Sequence, residues 1–206
     1  MLCESFWDVI RIIGVTLHGY KVVKDLAVED CYREFAEGSH EAFEKIVEEF
    51  REKLICFINR YVDNYSLAED LSEDVFVEVL MHPGRYNYKT SLKTYLFTIG
   101  RNKAIDYIRK NKRMLYGELD TDFAEAAESF EEKYCKEEVK KAMLRLLSEL
   151  KEEYRIVLYL LYFEEMSYEE VGKIIHKNKK QVTNLAYRAK QTMREALRKE
   201  GFEYEE

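Results

Sequence analysis

Apolar residues in this chain recur at intervals of three and four, and no alternating polar and apolar run lasts more than a few residues. That period belongs to a helix, whose 3.6-residue turn puts such positions on one face; a strand has period two. Proline breaks a helix by removing a backbone donor and clashing with the preceding turn. It occurs once in 206 residues, at Pro83, and glycine occurs only 8 times. The expected fold class is all-α. A hydrophobic fraction of 47% over this length can fill one or two modest cores, so two small helical domains are expected.

The spacing resolves into segments. Residues 1–36 read as an N-terminal helical extension without an assigned role, with Phe6, Val9, Ile10, Ile13 and Leu17 at helical spacing. Gly38 and Ser39 open a long helix with Phe43, Ile46, Val47, Phe50, Leu54, Phe57, Ile58 and Tyr61 on one stripe. Ser66 and Glu69 have the spacing of a capping box, which starts a second helix burying Leu67, Leu71, Val75 and Val79 beneath an acidic face. His82-Pro83-Gly84 ends it. The tyrosine-rich loop Arg85-Tyr86-Asn87-Tyr88-Lys89 then leads to a third helix from about Ser91 to Lys112. Residues 37–113 form the first domain on this reading, 114–138 an acidic linker, and 139–206 a second domain. In the last, Val139, Met143, Leu146, Leu147 and Leu150 resume the period, followed by Tyr154, Val157, Leu158 and Leu161.

A formal charge of -7 argues against a nucleic-acid binder until its distribution is read. From Arg85 to Arg113 the bases Arg85, Lys89, Lys93, Arg101, Lys103, Arg109, Lys110, Lys112 and Arg113 face only Asp106. From Val171 to Lys199 a second set of lysines and arginines faces only Glu195. The acidic residues between them form a solvated tether on composition alone. Cys3, Cys31, Cys56 and Cys135 form no CxxC pair and no signal peptide precedes them, which points to reducing cytoplasm without a disulfide framework. No run reaches the roughly 18 apolar residues that span a bilayer, so no membrane insertion is expected.

The sharpest local signal lies near the C-terminus. Ser167 and Glu170 form a second capping box, opening a short helix through Val171, Ile174 and Ile175. The turn His176-Lys177-Asn178-Lys179 separates it from a longer helix with Val182, Leu185, Ala186, Ala189, Met193 and Leu197 on one face. A short capped helix, a tight turn and a longer basic helix make a helix-turn-helix signature. A recognition helix enters the major groove by its N-terminal half. Its base-reading candidates are therefore Lys180, Gln181, Thr183, Asn184, Tyr187 and Arg188, with Lys179 and Lys190 placed for flanking phosphates. A solvated amphipathic helix has the same polarity, and it is the preceding helix and turn that favour DNA binding.

Three strings, taken in order, resemble one family. Ala68-Glu69-Asp70-Leu71-Ser72-Glu73-Asp74-Val75-Phe76 is similar to the AEDL-x-Q-[DE]-x-F helix of extracytoplasmic-function sigma factors. The segment from Ser91 to Arg109, with Tyr95-Leu96, Ile99-Gly100-Arg101-Asn102 and Asp106, resembles that family's promoter-melting helix. Leu147 to Arg194 resembles its fourth conserved region. The matches cover about residues 40–200. Departures are Glu73 for Gln, Tyr95 for Trp, His176 for Gly, and Lys180-Gln181-Val182 for Gly-Thr-Val.

The resemblance implies a specificity subunit that binds bacterial core RNA polymerase and promoter DNA. The acidic helix would dock on the polymerase clamp through Asp70, Glu73, Asp74 and Phe76. The -10 element would be captured by Tyr86, Asn87, Tyr88, Tyr95, Arg101, Asn102, Lys103 and Arg109, and the -35 duplex read by the helix-turn-helix. The linker would thread toward the polymerase active-site channel, and a cognate anti-sigma protein is a partner that members often have. No cofactor, metal, catalytic residue or small-molecule substrate is expected. Glu37-Gly38-Ser39-His40 has the Glu-x-x-His spacing of carboxylate-bridged metal bundles but no second copy. The rival reading is a one-component helix-turn-helix regulator. Such a protein has no need of a second basic block with an aromatic loop, whereas promoter melting does.

Overall fold

The computed structural model describes residues 28–115 and 149–199, and within them the regular structure is helical throughout. Helix α1 runs through residues 28–36, α2 through His40–Val62, α3 through Tyr65–Met81 and α4 through Leu92–Leu115, with a 3-10 turn at Pro83–Arg85. From residue 149 onward come α5 (Glu152–Leu158), a π-helical turn (Tyr159–Phe163), α6 (Tyr168–Ile175) and α7 (Lys179–Lys199). The predicted positions Val139, Met143, Leu146 and Leu147, the linker beyond Leu115 and the first 27 residues lie outside the described residues.

The first unit is built on α2. Gly38, at φ 108°, turns the chain out of α1, and the Ser39 hydroxyl accepts from Ala42 N at 3.3 Å to start α2. Ile46, Phe50, Leu54, Phe57, Ile58 and Tyr61 are buried as the stripe predicts, whereas Phe43 and Val47 are only partly covered. Phe57 meets Phe97 of α4 with ring centroids 4.8 Å apart. Helix α3 begins one residue before the expected cap. Asn64 is the N-cap, its side chain accepting from Leu67 N at 3.0 Å, and Glu69 reaches sideways to Arg51 of α2. The capping box expected at Ser66 is therefore not formed. A second departure concerns α1: Tyr32 is fully buried and Phe35 nearly so, which ties residues 28–36 to the domain expected to begin at 37.

The second unit packs α5, the π turn and α6 against α7 around Leu160, Val171, Ile174, Val182, Ala186, Ala189 and Met193. Its capping box forms as predicted: the Ser167 hydroxyl accepts from Glu170 N at 3.2 Å while Glu170 Oε2 accepts from Ser167 N at 2.9 Å. The two units touch, α6 lying along α4 and α5 against α2. Among the described residues no helix is long and apolar enough to cross a membrane, and no group of three His, Cys, Asp or Glu side chains is placed to hold a metal ion.

Candidate nucleic-acid and polymerase interfaces

The helix-turn-helix is held by its backbone. His176 ends α6 in the left-handed region at φ 55°, and Lys177 N donates to Gly172 O at 2.9 Å. A Cβ on residue 172 would stand 2.5 Å from the Lys177 carbonyl oxygen, so this close approach requires glycine. Asn178 then caps α7, accepting from Gln181 N at 2.9 Å, while Gln181 Oε1 accepts from Asn178 N at 2.9 Å. This reciprocal cap, a second one within the motif, was not foreseen.

Beyond it Lys180, Gln181, Thr183, Asn184, Tyr187 and Arg188 are all exposed, Tyr187 at 64%. The cap occupies the Gln181 carbonyl oxygen and leaves its NH2 to donate, and the Thr183 hydroxyl donates to Lys179 O at 2.9 Å. Lys179 pairs with Glu169 at 2.6 Å, and this hydrogen bond holds the Glu169 carboxyl below its usual range. The Lys190 ammonium is half-buried, 5.0 Å above the Tyr162 ring.

The aromatic loop lies at the start of α4. The Tyr86 ring is 4.6 Å from Tyr88, 5.1 Å from Tyr95 and 4.8 Å from Tyr32 of α1. Tyr86 itself is a correction: it is 4% exposed and its hydroxyl donates to Thr90 O at 2.6 Å, so it props the loop and offers no face to a base. Burial pushes its phenol far above the ordinary tyrosine value. Tyr88, at 42% exposure, and the half-buried Tyr95 are the rings left at the surface. Positions 95, 102 and 109 follow helical spacing and carry Tyr95, Asn102 and Arg109 along one side of α4, with Asn87 and Tyr88 at its head. The Arg101 guanidinium donates to the neighbouring Asn102 Oδ1 at 3.4 Å. Lys103 pairs with Glu78 of α3 at 3.0 Å, and Glu78 also accepts from Arg85 at 3.2 Å, so Lys103 ties α4 to the loop.

Sequence reasoning missed the role of α1 here. The Tyr32 hydroxyl donates to Pro83 O at 3.0 Å, and the Arg33 guanidinium lies 5.6 Å over the Tyr88 ring. The only sequence signal was aromatic residues at positions 32 and 35, a spacing of three.

Helix α3 presents Asp70, Glu73 and Asp74 to solvent as expected, but Phe76 is a second correction. It is 6% exposed and meets Phe43 of α2 edge to face, so it belongs to the core. The apolar part of the exposed stripe is instead Val77 (55% exposed), Leu80 and Met81 (66%), one turn on from Glu73 and Asp74.

Two family models match the chain: Sigma-70 region 2 over residues 46–114 and Sigma-70, region 4 over residues 140–193. Among curated relatives, the ECF RNA polymerase sigma factor SigM of Bacillus subtilis (strain 168) is 26% identical, covering 73% of this chain and 92% of its own length. SigW of the same organism is 23% identical over 84% of this chain and 98% of its own. Among solved structures, the sigma factor RpoE in complex with the anti-sigma factor NepR from Bartonella quintana aligns at TM-score 0.61 and 21% identity, over 76% of this chain and 96% of that one. CnrH in complex with the cytosolic domain of CnrY aligns at TM-score 0.60 and 19% identity, over 83% and 97%. Region 2 covers α2 to α4 and region 4 ends on α7, in the order in which the acidic stripe, the aromatic loop and the helix-turn-helix follow one another. The chain belongs to the sigma-70 family, as a sigma factor of the extracytoplasmic-function kind.

Proposed function

We propose that this sigma factor, working in the cytoplasm and without chemistry of its own, binds core RNA polymerase and directs it to promoters with a -35 and a -10 element. The observation that carries the reading is the run of exposed polar side chains on α7 immediately after a doubly capped turn. Lysine and arginine there match guanine, asparagine and the free NH2 of Gln181 match adenine, and Lys179 and Lys190 suit phosphates. The -10 surface is Asn87, Tyr88, Tyr95, Arg101, Asn102, Lys103 and Arg109. An unstacked base lies on a tyrosine face while cations hold the strand, and stacking of this kind is worth about 1–3 kcal/mol per base. Polymerase contact runs along Asp70, Glu73, Asp74, Val77 and Met81, with acidic residues to meet a basic surface and an apolar end to exclude water.

An anti-sigma protein is the natural further partner, as one is bound to the structural relative RpoE. The test is run-off transcription with core enzyme on a pool of genomic fragments. The expected result is discrete new transcripts that core enzyme alone does not make, and their absence sinks the reading.

A further inference from the structure

The contact between the two units uses side chains unlike those of an incidental surface. Lys93 of α4 inserts beneath the π turn: its ammonium lies 2.5 Å from Glu164 Oε2 and donates to Glu164 O at 2.7 Å. The two side chains are only 14% and 6% exposed. Glu164 is braced from behind by the Tyr159 hydroxyl at 3.0 Å. Two more bonds flank the pair. Glu170 uses one carboxylate oxygen to cap α6 and accepts with the other from the Ser91 hydroxyl at 2.9 Å, at the cap of α4. Arg155 donates to the Arg60 carbonyl at 2.6 Å, and the Arg60 guanidinium lies 5.0 Å over the Tyr159 ring. A buried ion pair whose partners come from different domains is satisfied only while the domains are docked.

Docked, the units cannot do what the proposed function asks of them. Elements about 25 nucleotides apart are separated by on the order of 80 Å along B-form DNA at 3.4 Å per step. In this structure α6, one turn of chain away from the reading helix, is hydrogen-bonded to the first residue before α4. A small domain spans roughly 30 Å, so α7 cannot reach the -35 element while α4 holds the -10 element. Residues 116–148 join the units with a covalent reach of roughly 100 Å at full extension, enough for separation.

We infer that Lys93–Glu164, with Ser91–Glu170 and Arg155–Arg60, is a latch that holds the free chain closed and must open before both promoter elements are engaged. The inference rests on the promoter reading for its consequence, but the closed state itself does not depend on it. Small-angle scattering of the full chain tests it. The wild type is compact; Lys93→Glu raises the radius of gyration by about a quarter or more as two units separate, and adding Glu164→Lys to that variant brings it back. Arg155→Met, which leaves the ion pair intact and removes its flanking bond, raises the radius too and serves if the charge reversal harms folding by circular dichroism.

An extended wild type, a folded Lys93→Glu or Arg155→Met chain as compact as the wild type, or a double variant that stays open overturns the latch. Run-off transcription separates the two claims: silence from wild type and variants alike, while the radius responds, overturns the promoter reading and leaves the closed state standing.

Discussion

His176 holds a left-handed backbone, φ 55°, that costs a residue with a Cβ roughly 1 kcal/mol relative to glycine, and its side chain is exposed. His176→Gly is therefore expected to raise stability by about 0.5–1 kcal/mol, seen as a higher urea midpoint at unchanged slope. Gly172, four residues earlier, is the opposite case. An added methyl at Gly172 meets a carbonyl oxygen, which is backbone and cannot rotate away. Gly172→Ala is expected to cost about 1–3 kcal/mol, measured the same way, and to weaken duplex binding by misplacing α7. The sequence signalled His176 as unusual by its departure from the family's glycine, but nothing in it marked Gly172, whose constraint comes from a chain segment that turns back on it. Phe76 shows the same limit. Acidic neighbours and a motif placed it on the exposed face, yet it stands one position from Val77, and a one-residue step around a helix is 100°.

Among the elements, those whose ends are written locally were legible. Ser39, Ser167 and the turn after Ile175 are recognisable from side-chain type and spacing, and α2, α6 and α7 begin where these say. Helix α3 is the exception, since Asn64 and Ser66 both offer a capping oxygen and the structure uses the earlier one. The π turn at Tyr159–Phe163, with Tyr159 and Leu160 buried, was not legible, because its apolar spacing reads as a continuation of α5. Two predictions belong to single helices. Arg188→Ala on α7 is expected to weaken binding to a -35 duplex by about 1–3 kcal/mol and to leave a single-stranded -10 oligonucleotide bound as before, measured by fluorescence anisotropy. Val77→Asp with Met81→Asp on α3 is expected to reduce affinity for core polymerase about tenfold or more, because the apolar end of the stripe then carries charge it must desolvate. Both side chains are exposed, so helix content should not change.

At the scale of the whole molecule, the sequence told the two units apart but not that they dock. Charge segregation placed Lys93 in a block facing nucleic acid, and Glu164 stood outside every motif, so their pairing across 71 residues had no local trace. Two domains joined only by a tether unfold independently and give two transitions unless their midpoints coincide; a shared interface with a buried ion pair couples them into one. Lys93→Met keeps most of the buried stem and removes the charge, leaving the Glu164 carboxylate desolvated with only the Tyr159 hydroxyl in place of the ammonium. Removing one partner of such a pair costs about 3 kcal/mol or more while the domains stay docked. Undocking rehydrates Glu164 and avoids that cost, so the variant is expected to separate its domains before either unfolds. Calorimetry should then show one cooperative transition for the wild type and two for Lys93→Met. The lower should belong to the second unit, whose short helices α5 and α6 rest on α2 and α4.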